Sequence, residues 1–226
     1  MKKTLGMVFF LTVLAGMAGC GQKNTANTME QTDTQTEKTL EDFFSAEQDE
    51  QNYNVMEEYS EDEEYPELAA FLTEYYQIPE EECKETRYYY NYTDLNEDGT
   101  DEIVAVTIGD TTSDNRGDAA LILRPGENGQ FEVLGAFSQI HTPVMISEDM
   151  ENDWHTIIFP IYGGGQESGF ISAVYREETG YELDEESFVR EEPKVSGDRI
   201  LSDNLINDMD TDNYLTIAPR DTESQN

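Results

Sequence analysis

Basic residues are scarce in this chain: 13 lysines and arginines stand against 50 aspartates and glutamates, a formal charge of −37. A surface that acidic repels phosphate backbones and anionic headgroups, which excludes nucleic acid as a partner. Histidine is scarcer still, with two residues, His141 and His155. Neither lies in an HExxH pattern and no GxSxG occurs, so the common zinc-protease and α/β-hydrolase signatures are missing. Two cysteines, Cys20 and Cys83, are too few for a disulfide scaffold. No stretch after residue 20 stays apolar for the roughly 20 residues that a bilayer-spanning helix needs, which excludes a polytopic membrane protein.

What is present begins at the N-terminus, with basic Lys2 and Lys3, an apolar run from Leu5 to Leu14, then the small residues Ala15, Gly16, Ala18 and Gly19. That order is a secretory leader, and its apolar run is too short to span a bilayer. The segment Met17-Ala18-Gly19-Cys20 resembles the lipobox of bacterial lipoproteins, differing from the usual pattern at Met17. The resemblance implies that residues 1–19 are cleaved and that Cys20 carries the lipid. The chain would then be held by two or more acyl chains on the extracytoplasmic face of the cell membrane. Loss of Lys2 and Lys3 with the leader takes the formal charge from −37 to −39. Cys83 is then left without an intrachain partner. Glu80, Glu81, Glu82 and Glu85 around it disfavour a thiolate, so it reads as an inert cysteine.

Residues 20–63 are rich in Gln, Asn, Thr, Asp and Glu, a composition unable to bury a core, and read as an acidic tether reaching on the order of 35 Å. Leu40, Phe43 and Phe44 fall at helical spacing within it and allow a short helix at 40–46. Order is expected from Pro66, which suits a first helical position, with Leu68, Phe71, Leu72 and Tyr75 on one face and Pro79 ending the helix at Ile78. Period-two patterns follow at 85–92, 103–108, 119–124, 131–137, 143–147, 156–162 and 170–176. Between them lie the turn signals Asp98-Gly99, Pro125-Gly126, Asn128-Gly129, Gly163-Gly164-Gly165 and Thr179-Gly180. The run Ile103–Ile108 is apolar on both faces apart from Thr107 and belongs at the sheet centre. The predicted fold is mainly β (α+β): an antiparallel sheet of about seven or eight strands with one amphipathic helix packed on it, spanning 64–192, before a polar acidic tail at 193–226.

The segment Asp94-Leu95-Asn96-Glu97-Asp98-Gly99-Thr100-Asp101-Glu102 sets oxygen-bearing side chains at alternate positions around a glycine. Asp94, Asn96 and Asp98 point inward from a tight loop, the Thr100 carbonyl is available, and Glu102 can close the shell, which suits calcium better than the smaller octahedral magnesium. An EF-hand would need a carboxylate where Ala105 stands. With a strand directly after it, Asp94–Val104 resembles instead the calcium loop of FG-GAP and VCBS-type repeats, differing from them in having Glu102 where Asp is usual. The resemblance implies a calcium cofactor held by Asp94, Asn96, Asp98, Thr100 and Glu102. The bland alternative is a solvated turn, which Asp, Asn and Gly form without metal.

Asp149–Asp153 followed by His155–Ile158 looks like a degenerate second copy of the loop-then-strand unit and points to a repeated architecture. Asp208, Asp210 and Asp212 echo the loop more weakly and read as part of an acidic tail. Tyr88, Tyr90 and Tyr92 share one strand face, as a binding platform or as packing against neighbours. These features favour a surface module that binds an extracellular protein or glycan. Two alternatives stay open: a surface hydrolase centred on Trp154, His155 and Gly163–Gly165, and an acidic inhibitor of a cationic enzyme.

Overall fold

The computed structural model describes residues 53–219. The leader, Cys20 and the expected helix at 40–46 lie outside that range. The apolar run at its centre becomes β3 (Glu102–Ile108), flanked antiparallel by β2 (Arg87–Thr93) and β4 (Asp118–Pro125). Residues Ile103 to Thr107 are fully buried. Strand alternation sends Ile103 and Ala105 to a cluster with Leu68 and Leu72, and Val104 and Val106 to a larger core with Ile157 and Phe159. Leu68 and Leu72 belong to α1 (Pro66–Tyr76), so the helix covers one face of β3 and the rest of the sheet covers the other. Pro66 opens this helix with Glu67 in its first turn. It stops at Tyr76, where Gln77 takes a left-handed conformation (φ 55°) and Ile78, preceding a proline, donates its N–H to the Thr73 carbonyl.

The strands fall into two antiparallel meanders. The first is β2–β3–β4–β5 (Phe131–Ile140). The second is β6 (Val144–Glu151), β7 (Trp154–Ile161), β8 (Gly169–Arg176) and β9 (Gly180–Val189). Asp94–Asp101 forms the loop between β2 and β3, whereas the second loop read in the sequence, Asp149–Asp153, reduces to the Asn152–Asp153 turn between β6 and β7, because Asp149–Glu151 are the end of β6. The meanders join through their last strands, which pair in parallel at Gly135 and Tyr181. A side chain at Gly135 would put its Cβ 2.8 Å from the Tyr181 Cβ and 3.1 Å from the Phe137 ring, so only glycine allows this approach.

Three short strands extend the sheet. β10 (Gly197–Ile200) pairs with β6, β1 (Val55–Glu57) lies parallel to β10, and β11 (Leu215–Thr216) pairs with β2. The result is a mixed sheet of 11 strands in the order β1-β10-β6-β7-β8-β9-β5-β4-β3-β2-β11, larger than the seven or eight antiparallel strands expected. It runs from Val55, inside the expected tether, to Thr216, inside the expected tail. The reason is local: β1 has no fully buried residue and β11 is only half-buried, so neither needs an apolar run.

The sheet curls so that both meanders share the larger core. Residues 58–61 strap the seam between β10 and β2. The Glu58 N–H donates to the Arg199 carbonyl (2.9 Å), the Ser202 N–H to the Glu58 carbonyl (2.9 Å) and the Glu61 N–H to the Tyr90 carbonyl (2.8 Å). On the β2 side, the Asn91 side-chain amide donates to the Tyr59 carbonyl (2.8 Å).

Candidate functional site

The segment Asp94–Asp101 winds into a loop because its short polar side chains cap its own backbone. Asp94 accepts from the N–H of Asp98 (3.1 Å) and of Gly99 (2.8 Å). Asn96 Oδ1 also accepts from Asp98 N–H (3.1 Å), and Asp98 Oδ1 accepts from Thr100 N–H (2.8 Å). These are the local side-chain-to-backbone bonds that favour Asx residues in turns. Glu97 (φ 56°) and Gly99 (φ 84°) supply the two left-handed residues that reverse the chain. The Asn96 amide and the Thr100 N–H hold the Asp98 carboxyl below the usual carboxylate range.

Asp94, Asn96 and Asp98 are thus brought together on the solvent side, while Glu102 lies behind them with no exposure at all. Its Oε2 accepts from the Leu95 N–H (3.1 Å) and its Oε1 from Arg124 Nε (3.3 Å). The register explains the second contact. Ile103 faces Leu123 across the β3–β4 ladder, which makes Glu102 and Arg124 neighbours one step further out, and Arg124 pairs in turn with Glu132 on β5. Burial pushes the Glu102 carboxyl up, opposed by the Leu95 hydrogen bond and by Arg124.

The same residues couple the meanders. Arg124 lies 5.4 Å above the Trp154 ring, which stacks on Tyr175 (4.1 Å, 16°) and meets Tyr181 edge-on. Leu95 is fully buried, and its carbonyl accepts the His155 N–H (2.8 Å). The His155 ring bonds through Nδ1 to the Ser147 carbonyl (2.8 Å) and stands 3.6 Å from a Glu97 oxygen through Nε2. Tyr181 closes the ring by donating its hydroxyl to the His155 carbonyl (2.8 Å). A cleft of about 300 Å³ beside the loop is lined by Asp94, His155, Glu148 and Asp198 among others.

The residues read as a calcium site therefore divide. Asp94, Asn96 and Asp98 fit the near half of a cation shell, with carboxylate and amide oxygens gathered in one loop. Glu102 fits a brace, both of its oxygens being engaged. Among the described residues no group of three or more His, Cys, Asp or Glu side chains has an arrangement that holds a metal ion. Glu102, with no exposure, presents neither oxygen to the solvent side of the loop.

Asn152 and Asp153 form a two-residue turn with φ of 56° and 64° between β6 and β7. Trp154 opens β7 and Gly163–Gly165 follow its other end, seven steps of about 3.3 Å away, so the strand holds them apart. The glycine loop packs instead against Asn115 and Arg116. Beside it His141 stacks on Tyr162 (3.5 Å, 7°) and bonds to its carbonyl, and burial lowers the imidazole pKa. Tyr88 and Tyr90 are buried beneath α1, leaving Tyr92 as the partly exposed member of that face. Cys83 is buried, its thiol donating to the Pro79 carbonyl.

Two features of the structure escaped the sequence reading. Arg124 is one; a lone cation ending the apolar run Ala119–Leu123 was the signal available for it. The second is a polar cavity between the strap and the segment 203–215, which composition alone had assigned to a tail. Comparisons with family models, with curated proteins and with solved structures return no match for this chain.

Proposed function

We propose that this chain is a lipid-anchored extracytoplasmic binding module, braced by the Asp94–Glu102 loop and tightened there by calcium. The observation that carries the reading is the loop's position. One side of it presents Asp94, Asn96 and Asp98 to solvent, and the other ties β3 to β4 through Arg124 and to β7 through the Leu95 carbonyl. An ion on the solvent side would neutralise carboxylates crowded in an already acidic chain, with Asp94, Asn96, Asp98 and the Thr100 carbonyl as ligands. Binding to the folded form alone would then stabilise the whole sheet by mass action. The order of basic, apolar and small residues before Cys20 supports the location, and an extracellular protein or glycan is the class of partner.

The test is a calcium titration of the full chain followed by calorimetry and thermal unfolding, for wild type and Asp98→Ala. Wild type is expected to release or absorb heat at one site and to melt higher with millimolar calcium, and Asp98→Ala to lose both effects. Equal heats in the two proteins would sink the calcium reading. Incorporation of labelled fatty acid, lost in Cys20→Ala, checks the anchor separately.

A further inference from the structure

The cavity at the strap has a volume of about 680 Å³, within the roughly 300–1,000 Å³ typical of small-molecule sites. Among the described residues its wall carries five carboxylates, those of Glu61, Asp62, Asp203, Asp208 and Asp212, and no lysine or arginine. Two are fixed in place by the fold. Asp203 is pinned by Ser60, whose N–H (2.9 Å) and hydroxyl (2.8 Å) both donate to it. Asp208 sits on α2 (Leu205–Thr211), only 5% exposed, and its Oδ2 has no hydrogen-bond partner. A buried carboxylate oxygen without a donor is costly to leave so, and costlier beside other carboxylates. Asn213 hydrogen-bonds to the same carboxyl, and Arg87 acts on it from a guanidinium that also donates to the Tyr89 hydroxyl (3.4 Å) and lies 5.4 Å over the Tyr214 ring.

The occupant such a wall asks for is positively charged, donates hydrogen bonds and is larger than an ion. Among the described residues no acidic group is arranged to hold a metal, and the volume exceeds what one ion fills. Tyr59, 65% exposed, and Tyr214 add aromatic rings to the wall, and aromatic faces attract organic ammonium and guanidinium groups. We propose that this cavity binds an organic cation, an alkylammonium or guanidinium group that donates to Asp208 and is flanked by Glu61, Asp62 and Asp203. The group can come from a free polyamine or from the basic side chain of a peptide. The site shares no residue with the Asp94–Glu102 loop. It rests on the binding-module reading for its purpose only, and a failed calcium titration leaves it untouched.

The test is calorimetry of the purified full chain at about 150 mM salt, where diffuse attraction to an acidic surface is largely screened. Spermidine and a blocked Gly-Arg-Gly peptide are titrated separately, and each is repeated with Asp208→Asn and with the double variant Glu61→Gln/Asp62→Asn. Saturable binding of either compound at one site per chain is expected, and which of them binds more tightly identifies the source of the cation. Asp208→Asn is expected to weaken it at least roughly tenfold while melting no lower than wild type, because it removes a charge that burial disfavours. The double variant, which leaves α2 intact, is expected to weaken binding as well. The proposal is overturned by many weak sites that the variants do not change, by equal binding of a neutral diacetylated polyamine, or by no binding of either cation at millimolar concentration. It is overturned too if calcium alone occupies the site with the same dependence on Asp208.

Discussion

Replacing Arg124 by methionine keeps an unbranched stem on the sheet and deletes the guanidinium that faces Glu102. Glu102 has no exposure, so its charge then keeps only the Leu95 N–H as partner. Breaking a buried ion pair from one side costs about 3–5 kcal/mol, and the Arg124 side chain is 33% exposed, which places the cost near or below the bottom of that range. Loss of the guanidinium above Trp154 adds roughly 0.5–1 kcal/mol, so the total expected is about 3 kcal/mol. Trp154 is the sole tryptophan of the chain, and its fluorescence follows denaturant unfolding directly. In a Glu102→Gln background no buried charge remains to be stranded, and the same substitution is expected to cost about 1 kcal/mol, a coupling of roughly 2 kcal/mol. The sign with pH follows from the raised Glu102 carboxyl: its ionisation opposes folding, so the penalty of Arg124→Met is expected to shrink as pH falls toward the ordinary glutamate value of 4.5. An equal cost in both backgrounds, or a cost unchanged between neutral and acid pH, refutes the assignment of Arg124 as the counter-charge.

Gly99 has φ of 84° and nothing within 4 Å of an added Cβ, so Gly99→Ala is expected to cost about 1 kcal/mol through backbone strain alone, with Gly99→Asn closer to wild type in the same denaturation assay. Gly135→Ala drives a methyl against Tyr181 and is expected to cost about 1–3 kcal/mol and to loosen hydrogen-exchange protection at the β5–β9 junction first. Burial raises Glu102, Asp118, Glu192 and Asp208, whose ionisation therefore disfavours the fold, whereas Asp98 and Asp114 are lowered by hydrogen bonds. The melting temperature is expected to rise as pH falls from 7 toward 4.5 and to turn down below the ordinary aspartate value of 3.8, where the lowered pair begin to protonate. A melting temperature that falls steadily from pH 7 downward contradicts this.

The parts of the fold readable from sequence are those where one residue pattern decides the outcome. Ile103–Val106 had to be central because no face of it tolerates water, and α1 had to cover it because Leu68 and Leu72 repeat at helical spacing. The repeat of a loop followed by a strand led to two meanders because each is a local hairpin followed by its neighbours. The seam was not readable in this way. Its strap is held by the backbone N–H groups of Glu58, Glu61 and Ser202, and a main-chain hydrogen bond leaves no mark on composition. Nor does β9 read as a strand: its sequence GYELDEESFV is acidic and half-exposed over most of its length, and the β5 pairing that fixes it rests on Gly135, a residue distant in sequence.

The candidate loop was legible through its spacing, yet the role of its last residue was not, because the same carboxylate serves a cation or a guanidinium equally well. What decides between them is the residue across the ladder, and with 50 acidic residues a carboxylate carries almost no positional information. The 13 basic residues carry far more. Arg124 stands between Glu102 and Glu132 on adjacent strands, Arg199 joins Glu57 of β1 to Glu192, and Arg176 on β8 meets Glu151 at the end of β6. Arg124 and Arg176 lie at or next to strand ends and Arg199 in the short strand beside the edge strand β1, where self-repulsion of an acidic chain would otherwise part the sheet. In so unbalanced a sequence, pairing each scarce arginine with the strands on either side of it gives more of the topology than any search among the abundant acids.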